Sequence, residues 1–281
     1  MNSGPDYIMA SREGLYIVNR TQWRRVADGY FFGVTVEGSG IYCFKTVTCA
    51  EAKAVVNSGT IVRYEYKNGR LARPETLVDG INYNCHQVDF FDGAFFVVDT
   101  NNQCILEFDA QWRRAKSHQI LPTAARNSPG DAHINSFLGL GDSIYLMLHN
   151  GARAIPSEIV EFDRGFRKRR RTTLSSPGCH DIVRLEDGRF LYCESFKGQL
   201  ACDDGTKFKI DELYTRGLSV GEDEIAVGSS LYGKRLARAL LPGFVTFLDR
   251  SFRRIARHYV SAAPTQIRRL DGADLSLSSP R

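Results

Sequence analysis

Residues 85–120 read CHQVDFFDGAFFVVDTNNQCILEFDAQWRRAKSHQI, and their patterning decides the fold. Four short runs rich in β-branched and aromatic residues are divided by Asp92-Gly93, Asn101-Asn102 and Ala110-Gln111. Such runs are strands, because branched and ring side chains suit a pleated surface and Gly, Asp and Asn supply tight turns. The unit recurs. A second copy runs AHINSFLGLGD, SIYLMLHN, SEIVEFDR, GFRKRRRTTL between Ala132 and Leu174, and a third runs CHDIVRLEDG, RFLYCES, GQLACDDG, TKFKIDEL between Cys179 and Leu213.

Two weaker copies flank these. One reads RGLSVGEDE, IAVGSSL, GFVTFLDR, SFRRIARHYV from Arg216, and the other FFGVTVEG, GIYCFKTV, TIVRYEYKNG, RLARPETLV from Phe31. The extra length of the latter, between Thr46 and Ser58, is expected to be a helical turn or long loop. A sixth copy is split across the chain ends: TQIRRLDG (265–272) matches an opening strand, while YIMAS, GLYIVN and TQWRRVADG near the N-terminus supply three more. One C-terminal strand plus three N-terminal strands closes a ring, which leaves no sheet edge exposed. An open solenoid would instead need polar caps. The expectation is an all-β, six-bladed β-propeller of four-stranded blades forming one domain over 1–281, with 6–28 completed by 264–272. The tail 273–281, ADLSLSSPR, has no periodic pattern and is expected to be poorly ordered.

With 43% hydrophobic and 25% charged residues, the chain belongs with folded globular proteins. The net charge of +5 favours an anionic ligand but is too small to imply nucleic acid. The basic run Arg167 to Arg171 reads as a solvated outer strand rather than a phosphate patch. The opening MNSGPDYIMASREG lacks the pattern of a signal peptide, and no apolar run approaches the roughly 18 residues of a membrane span. Seven cysteines, odd in number and without a CxxC pair, read as reduced thiols in a cytoplasmic protein.

His86, His133 and His180 recur at intervals of 47 residues, each at the start of a first strand. In a propeller that strand is innermost, so these positions converge on the axis together with their expected equivalents Phe31, Arg216 and Thr265. Three imidazoles can hold a divalent transition metal (Zn, Fe, Mn, Cu or Ni) and leave positions open for water or substrate. Arg216 suits a carboxylate or phosphate. Loops expected at the same face carry Asp99, Asn101 and Asn102, then His149 and Asn150, then Glu194 and Ser195. Glu194 is the candidate fourth ligand or general base and His149 a candidate acid/base group. Two other uses of the histidines stay open: a polar site without metal, and blade-to-blade hydrogen bonding. The repeated FD-xx-WRR pattern (Phe108, Asp109, Trp112, Arg113, Arg114, with Asp163 and Asp249) reads as turn closure with an aromatic packed between blades. Cys85 and Cys179 read as small buried hydrophobes, and His118 and His258 as bystanders on outer strands.

The strand and turn pattern resembles the six-bladed propellers that include the gluconolactonase and regucalcin-like enzymes and the NHL-repeat proteins. The segments CHQVD, AHINSF, PGCHDI and YTRGLSVG resemble more closely a bacterial propeller family with a histidine at successive blade starts and an RGL segment. The first resemblance implies a divalent metal in the axial channel, held in the regucalcin-like enzymes by Glu, Asn and Asp. His86, His133 and His180 stand at those axial positions here, so lactonase activity does not follow, and a softer metal than calcium is implied. The expected function is a metal-dependent enzyme, hydrolase or lyase ahead of non-heme oxygenase, acting on a small polar or anionic molecule. Its rival is a non-catalytic module binding a glycan, peptide or protein partner.

Overall fold

Alternation along a strand sends successive side chains to opposite faces of its sheet, and in this protein both faces are buried. Tyr7 and Met9 pack with Val245 and Phe247 of one neighbouring sheet, whereas Ile8 and Ala10 pack with Phe31 and Val34 of the other. The computed structural model describes residues 3–46, 58–233 and 241–278. Six antiparallel sheets follow one another in a ring, each running from an innermost to an outermost strand. Blade 1 comprises Tyr30–Glu37, Gly40–Thr46, Ser58–Lys67 and Glu75–Asn82, with a short hairpin strand Arg70–Leu71. Blade 2 comprises Cys85–Phe91, Ala94–Asp99, Cys104–Asp109 and Arg114–Gln119. Blade 3 comprises Ile134–Leu140, Ser143–Leu148, Glu158–Asp163 and Lys168–Thr173; blade 4, His180–Arg184, Phe190–Glu194, Gln199–Cys202 and Lys207–Lys209. Blade 5 comprises Tyr214–Val220, Glu224–Ser230, Gly243–Asp249 and Arg254–Val260. Most of the extra segment expected between Thr46 and Ser58 lies outside the described residues.

Blade 6 is the split one. Pro264–Arg269 is its innermost strand and pairs antiparallel with Tyr7–Ser11, which continues into Gly14–Val18 and Trp23–Asp28. The described core divides into six apolar clusters, one at each junction between successive blades. Polar groups on the innermost strands stitch the same junctions. Gln87 of blade 2 donates to the Phe137 carbonyl (2.7 Å) and accepts from the Phe137 N–H (2.8 Å) of blade 3. Asn135 donates to the Cys179 carbonyl (2.9 Å), Asp181 accepts from the Gly217 N–H (3.0 Å), and Gln266 accepts from the Val34 N–H (2.7 Å). Thr35 donates to Asp89 at 3.2 Å, and Arg268 completes the circuit between blades 6 and 5 by donating to the Leu218 carbonyl at 3.2 Å.

The outer turns follow one design. Asp109, Asp163 and Asp249 each accept two backbone N–H bonds from the residues that follow, and the third residue after each Asp takes a left-handed conformation (Trp112, Phe166 and Phe252). Trp112 then packs against Tyr42 and Phe95, across the junction of blades 1 and 2.

Residues 273–278 depart from the expected disorder. Ser219 donates to Asp274 (2.7 Å), the Leu275 N–H bonds the Val220 carbonyl (2.7 Å), and Ser278 donates to Asp89 (2.9 Å) while accepting from the Gly139 N–H (2.7 Å). This tail crosses the end of the channel where the innermost strands finish, and its aperiodic pattern reflects these bonds to three different blades. Burial pushes the Asp89 carboxyl up to about 6, against the pull of Arg268 and the hydrogen bond from Ser278. The six cysteines among the described residues are free and buried. Among the described residues no helix is long and apolar enough to cross a membrane.

Replacing Gln87 by Leu orphans a buried N–H and a buried carbonyl at Phe137 together. The expected loss is about 2–4 kcal/mol of unfolding free energy, read by urea denaturation; a change within 0.5 kcal/mol would show that the stitch is not what secures this junction.

Candidate functional site

The ends of the innermost strands opposite the tail open into a cavity of about 510 Å³, lined in part by Phe32, His86, His133, His149, His180 and Arg216. All three histidines of the repeat therefore meet, though their equal spacing is not equal register. His86 sits within a bulge between Cys85 and Val88, His133 precedes its strand, and His180 is the first residue of its strand. Bulges re-aim side chains where they interrupt pairing, and His133 also adopts φ 55°, a left-handed conformation uncommon outside glycine. These local departures turn the rings toward one another.

His149 joins them. Its N–H bonds the His133 carbonyl at 3.3 Å, which holds the two residues across from each other in blade 3. The four imidazoles then form a row: His86 to His133 at 4.7 Å between ring centroids, His133 to His149 at 5.1 Å, and His149 to His180 at 4.8 Å. Phe32 stacks on His86 at 5.1 Å, and Tyr214 meets His180 edge-on at 5.7 Å, so aromatic rings end the row on both sides.

Two of these rings are held neutral. Burial, then the His133 and Arg216 charges, pushes the His86 pKa well below the usual imidazole range. Burial, then Arg216 and His149, does the same to His180. His180 Nδ1 lies 3.0 Å from the Ser195 hydroxyl and 3.3 Å from that of Tyr214. His149 Nδ1 accepts the Gly151 N–H at 3.1 Å, and His86 Nδ1 is buried without a hydrogen-bond partner. Among the described residues, no three His, Cys, Asp or Glu side chains are grouped so as to hold a metal ion. For His86, His133 and His180 to share one ion, the rings would have to turn.

Arg216 lines the cavity beside the histidines, its guanidinium 5.5 Å from the centre of the Phe32 ring. Glu194 does not reach the cavity. Its carboxylate is buried in blade 4, where Lys197 (2.8 Å), Ser175 (3.1 Å), Ser176 and Gln199 all donate to it and Lys207 lies 3.6 Å away. Burial raises its pKa, but the bonds from Lys197, Ser176 and Gln199 outweigh burial and hold it at about 2. Phe31 is likewise turned into the junction core, and its neighbour Phe32 takes the cavity position. Thr265 is outside this cavity and donates to the Phe31 carbonyl at 3.2 Å.

The other loop polar groups serve the fold. Asp99 binds the backbone and side chain of Asn102, and Asn150 donates to the Pro156 carbonyl and to Glu158. His118 bonds Glu107, and His258 the carbonyl of Arg20. Cys85 packs at the junction of blades 1 and 2. The lining residues missed in the sequence include Arg12, Phe32, Arg126, Phe196, Tyr214 and Tyr232. One carried a signal: Tyr214 stands two residues before Arg216 on the same strand, where alternation returns a side chain to the same face.

No family model matches the sequence, and no curated protein matches it. Among solved structures the chain is similar to one from a nidogen/laminin complex, with TM-score 0.66 and 9% identity over 94% of this chain and 98% of that one. It is similar to a protein of unknown function from Bacteroides caccae, with TM-score 0.62 and 11% identity over 95% and 99%. It is also similar to virginiamycin B lyase from Staphylococcus aureus, in a catalytically inactive histidine-to-alanine form with quinupristin, with TM-score 0.51 and 12% identity over 93% and 84%. At such identities the likeness shows the propeller fold alone.

Glu194 thus belongs to the blade, and its depressed pKa gives the sign of its effect. A carboxyl ionised more easily when folded contributes stability above its unfolded pKa and loses it as pH falls toward the folded value. Glu194→Gln should cost about 2 kcal/mol at pH 7, a difference that fades between pH of about 4.5 and 2. Chemical denaturation across that range checks it, and an equal cost at both ends would show that charge is not what the site uses.

Proposed function

We propose that the histidine-lined cavity is the active site of an enzyme that binds a small anionic molecule and transfers protons on it, as a hydrolase or lyase. The observation that carries this reading is the row of four imidazoles in one cavity with Arg216 beside it. An imidazole held neutral at pH 7 is ready to accept a proton. Because the Gly151 N–H donates to Nδ1 of His149, the neutral His149 ring carries its proton on Nε2. We therefore assign His149 Nε2–H as a hydrogen-bond donor to the substrate oxygen on which negative charge develops. His180 meets two hydroxyls at Nδ1, and its Nε2 is assigned as proton acceptor. Arg216 offers a forked set of donors to a carboxylate or phosphate. The virginiamycin B lyase similarity adds that one propeller of this fold is a lyase rendered inactive by loss of a histidine.

A second reading rests on one observation, the buried and unpartnered Nδ1 of His86. A nitrogen kept free of hydrogen bonds is suited to a divalent transition metal, shared with His133 and His180. Such an ion would act as a Lewis acid on the substrate.

A panel of carboxylate and phosphate esters and of acids open to elimination tests the first reading. Turnover should fall at least 100-fold in His149→Gln and in His180→Gln, with melting temperatures held. Turnover unchanged in both would place the chemistry elsewhere, and anion binding without any turnover would make the protein a binding module. Elemental analysis of protein purified without a metal-affinity tag decides the second: a near-stoichiometric transition metal that His86→Ala abolishes supports it, and no metal after reconstitution overturns it.

A further inference from the structure

The row of imidazoles continues, beyond His180, into a wall of benzene rings. Phe196, Tyr214 and Tyr232 pack on one another at centroid distances of 5.2, 5.0 and 5.1 Å, and all three line the cavity. Apolar rings usually hide from water, yet Phe196 is 52% and Tyr232 56% exposed, and Leu231 beside them is 51% exposed. Exposed rings grouped at a cavity mouth mark a ligand surface.

The ring position is built rather than incidental. Phe196 lies on the short helical turn Ser195–Lys197 that follows strand Phe190–Glu194, and its ring rests against Gly178. A Cβ at Gly178 would clash with that ring, and Gly178 has φ +79°, so glycine meets both requirements there. The turn also places Ser195 on His180, which couples the placing of the aromatic wall to that of the imidazole row.

Opposite in character are Arg12, Arg126 and Arg216, which line the cavity with Asp131 as the single carboxylate among the described lining residues. Arg216 and Tyr214 stand two residues apart on one strand, so a cation and a ring face the cavity side by side. We propose that the ligand is an aromatic anion: a planar ring bearing a carboxylate or phosphate, its charge at Arg216 and its ring against Phe196, Tyr214 and Tyr232. Aromatic faces and edges select planar rings over saturated ones of equal size through their quadrupoles. The inference rests on the anion-site reading above and narrows it.

Isothermal titration calorimetry with benzoate, phenyl phosphate, cyclohexanecarboxylate and hexanoate tests it without requiring turnover. Benzoate should bind about tenfold tighter than cyclohexanecarboxylate, a ratio expected from one well-placed ring contact. In Phe196→Leu and Tyr232→Leu, which keep apolar bulk and alter exposed positions, that ratio should fall toward one. Arg216→Gln should weaken benzoate and cyclohexanecarboxylate alike. Equal affinity of the two carboxylates in the unchanged protein, or a ratio untouched in both leucine variants, overturns the aromatic preference while the anion site stands. No heat from any of the four probes at millimolar concentration overturns both.

Discussion

The structure depends on closing a ring of sheets that are each buried on both faces. A four-stranded sheet with two apolar faces is unstable by itself, since each face must find another. Six such sheets satisfy one another only if the first meets the last. Pairing of Pro264–Arg269 with Tyr7–Ser11 meets that condition, because it places Ile267 and Met9 in one junction cluster and Ile8 in the next. The inner strands add direction. Gln87, Asn135, Asp181 and Gln266 bond backbone groups of the adjacent blade, and such bonds hold the strands at a fixed angle around the axis. Each is a polar side chain at or beside a bulge, facing a backbone group of the next blade.

That same position makes the site possible. The bulges that free a backbone N–H for stitching also break the alternation, so neighbouring residues no longer divide evenly between the two junctions. His86 and Gln87 sit together in one such bulge; the first lines the cavity and the second bonds the next blade. At His180 and Asp181 the division is the same, with Asp181 held at φ 59° and bonded to Gly217. Stability and site are therefore adjacent in the chain, and a change at one imidazole is a change next to a junction bond. The stitching residues nevertheless hold backbone while the imidazoles hold one another, which allows the two contributions to be separated by substitution.

Much of this was legible in the residues. The turn spacing, the recurrent Asp–x–x–aromatic turns and the split sixth copy all follow from short-range chemistry, and closure follows from them. Convergence of His86, His133 and His180 was legible for a partly different reason than the true one, since their equal spacing conceals three different registers. Glu194 misled because position in a loop says nothing about partners: Lys197 and Gln199, close by in sequence, and Ser176 in the preceding segment capture its carboxylate before it can face the axis. Arg12 and Arg126 were invisible because they come from segments with no strand pattern, and only tertiary placement brings them to the cavity. The tail was misjudged on similar grounds. Its bonds reach Val220, Asp89 and Gly139 in three blades, and no periodicity within six residues could announce that.

The tail lies across one end of the channel, where Arg268 bonds Ser276 and Ser278 bonds Asp89, and the cavity at the other end forms a cup. His86 and His180 are its nearly buried lining residues. Burial, ahead of any neighbouring cation, is the main cause that lowers the pKa of both rings. Nearer the mouth the balance differs, because Phe196 and Tyr232 remain largely in solvent. A gradient from wet aromatic rim to dry imidazole floor follows, with Arg216 among the lining groups and close enough to perturb both depressed histidines. An anion entering such a cup gains most from the guanidinium where the dielectric is lowest. On the reading proposed above, electrostatics would draw the charged end of a ligand inward and leave its uncharged part at the rim, so the fold would orient what it admits.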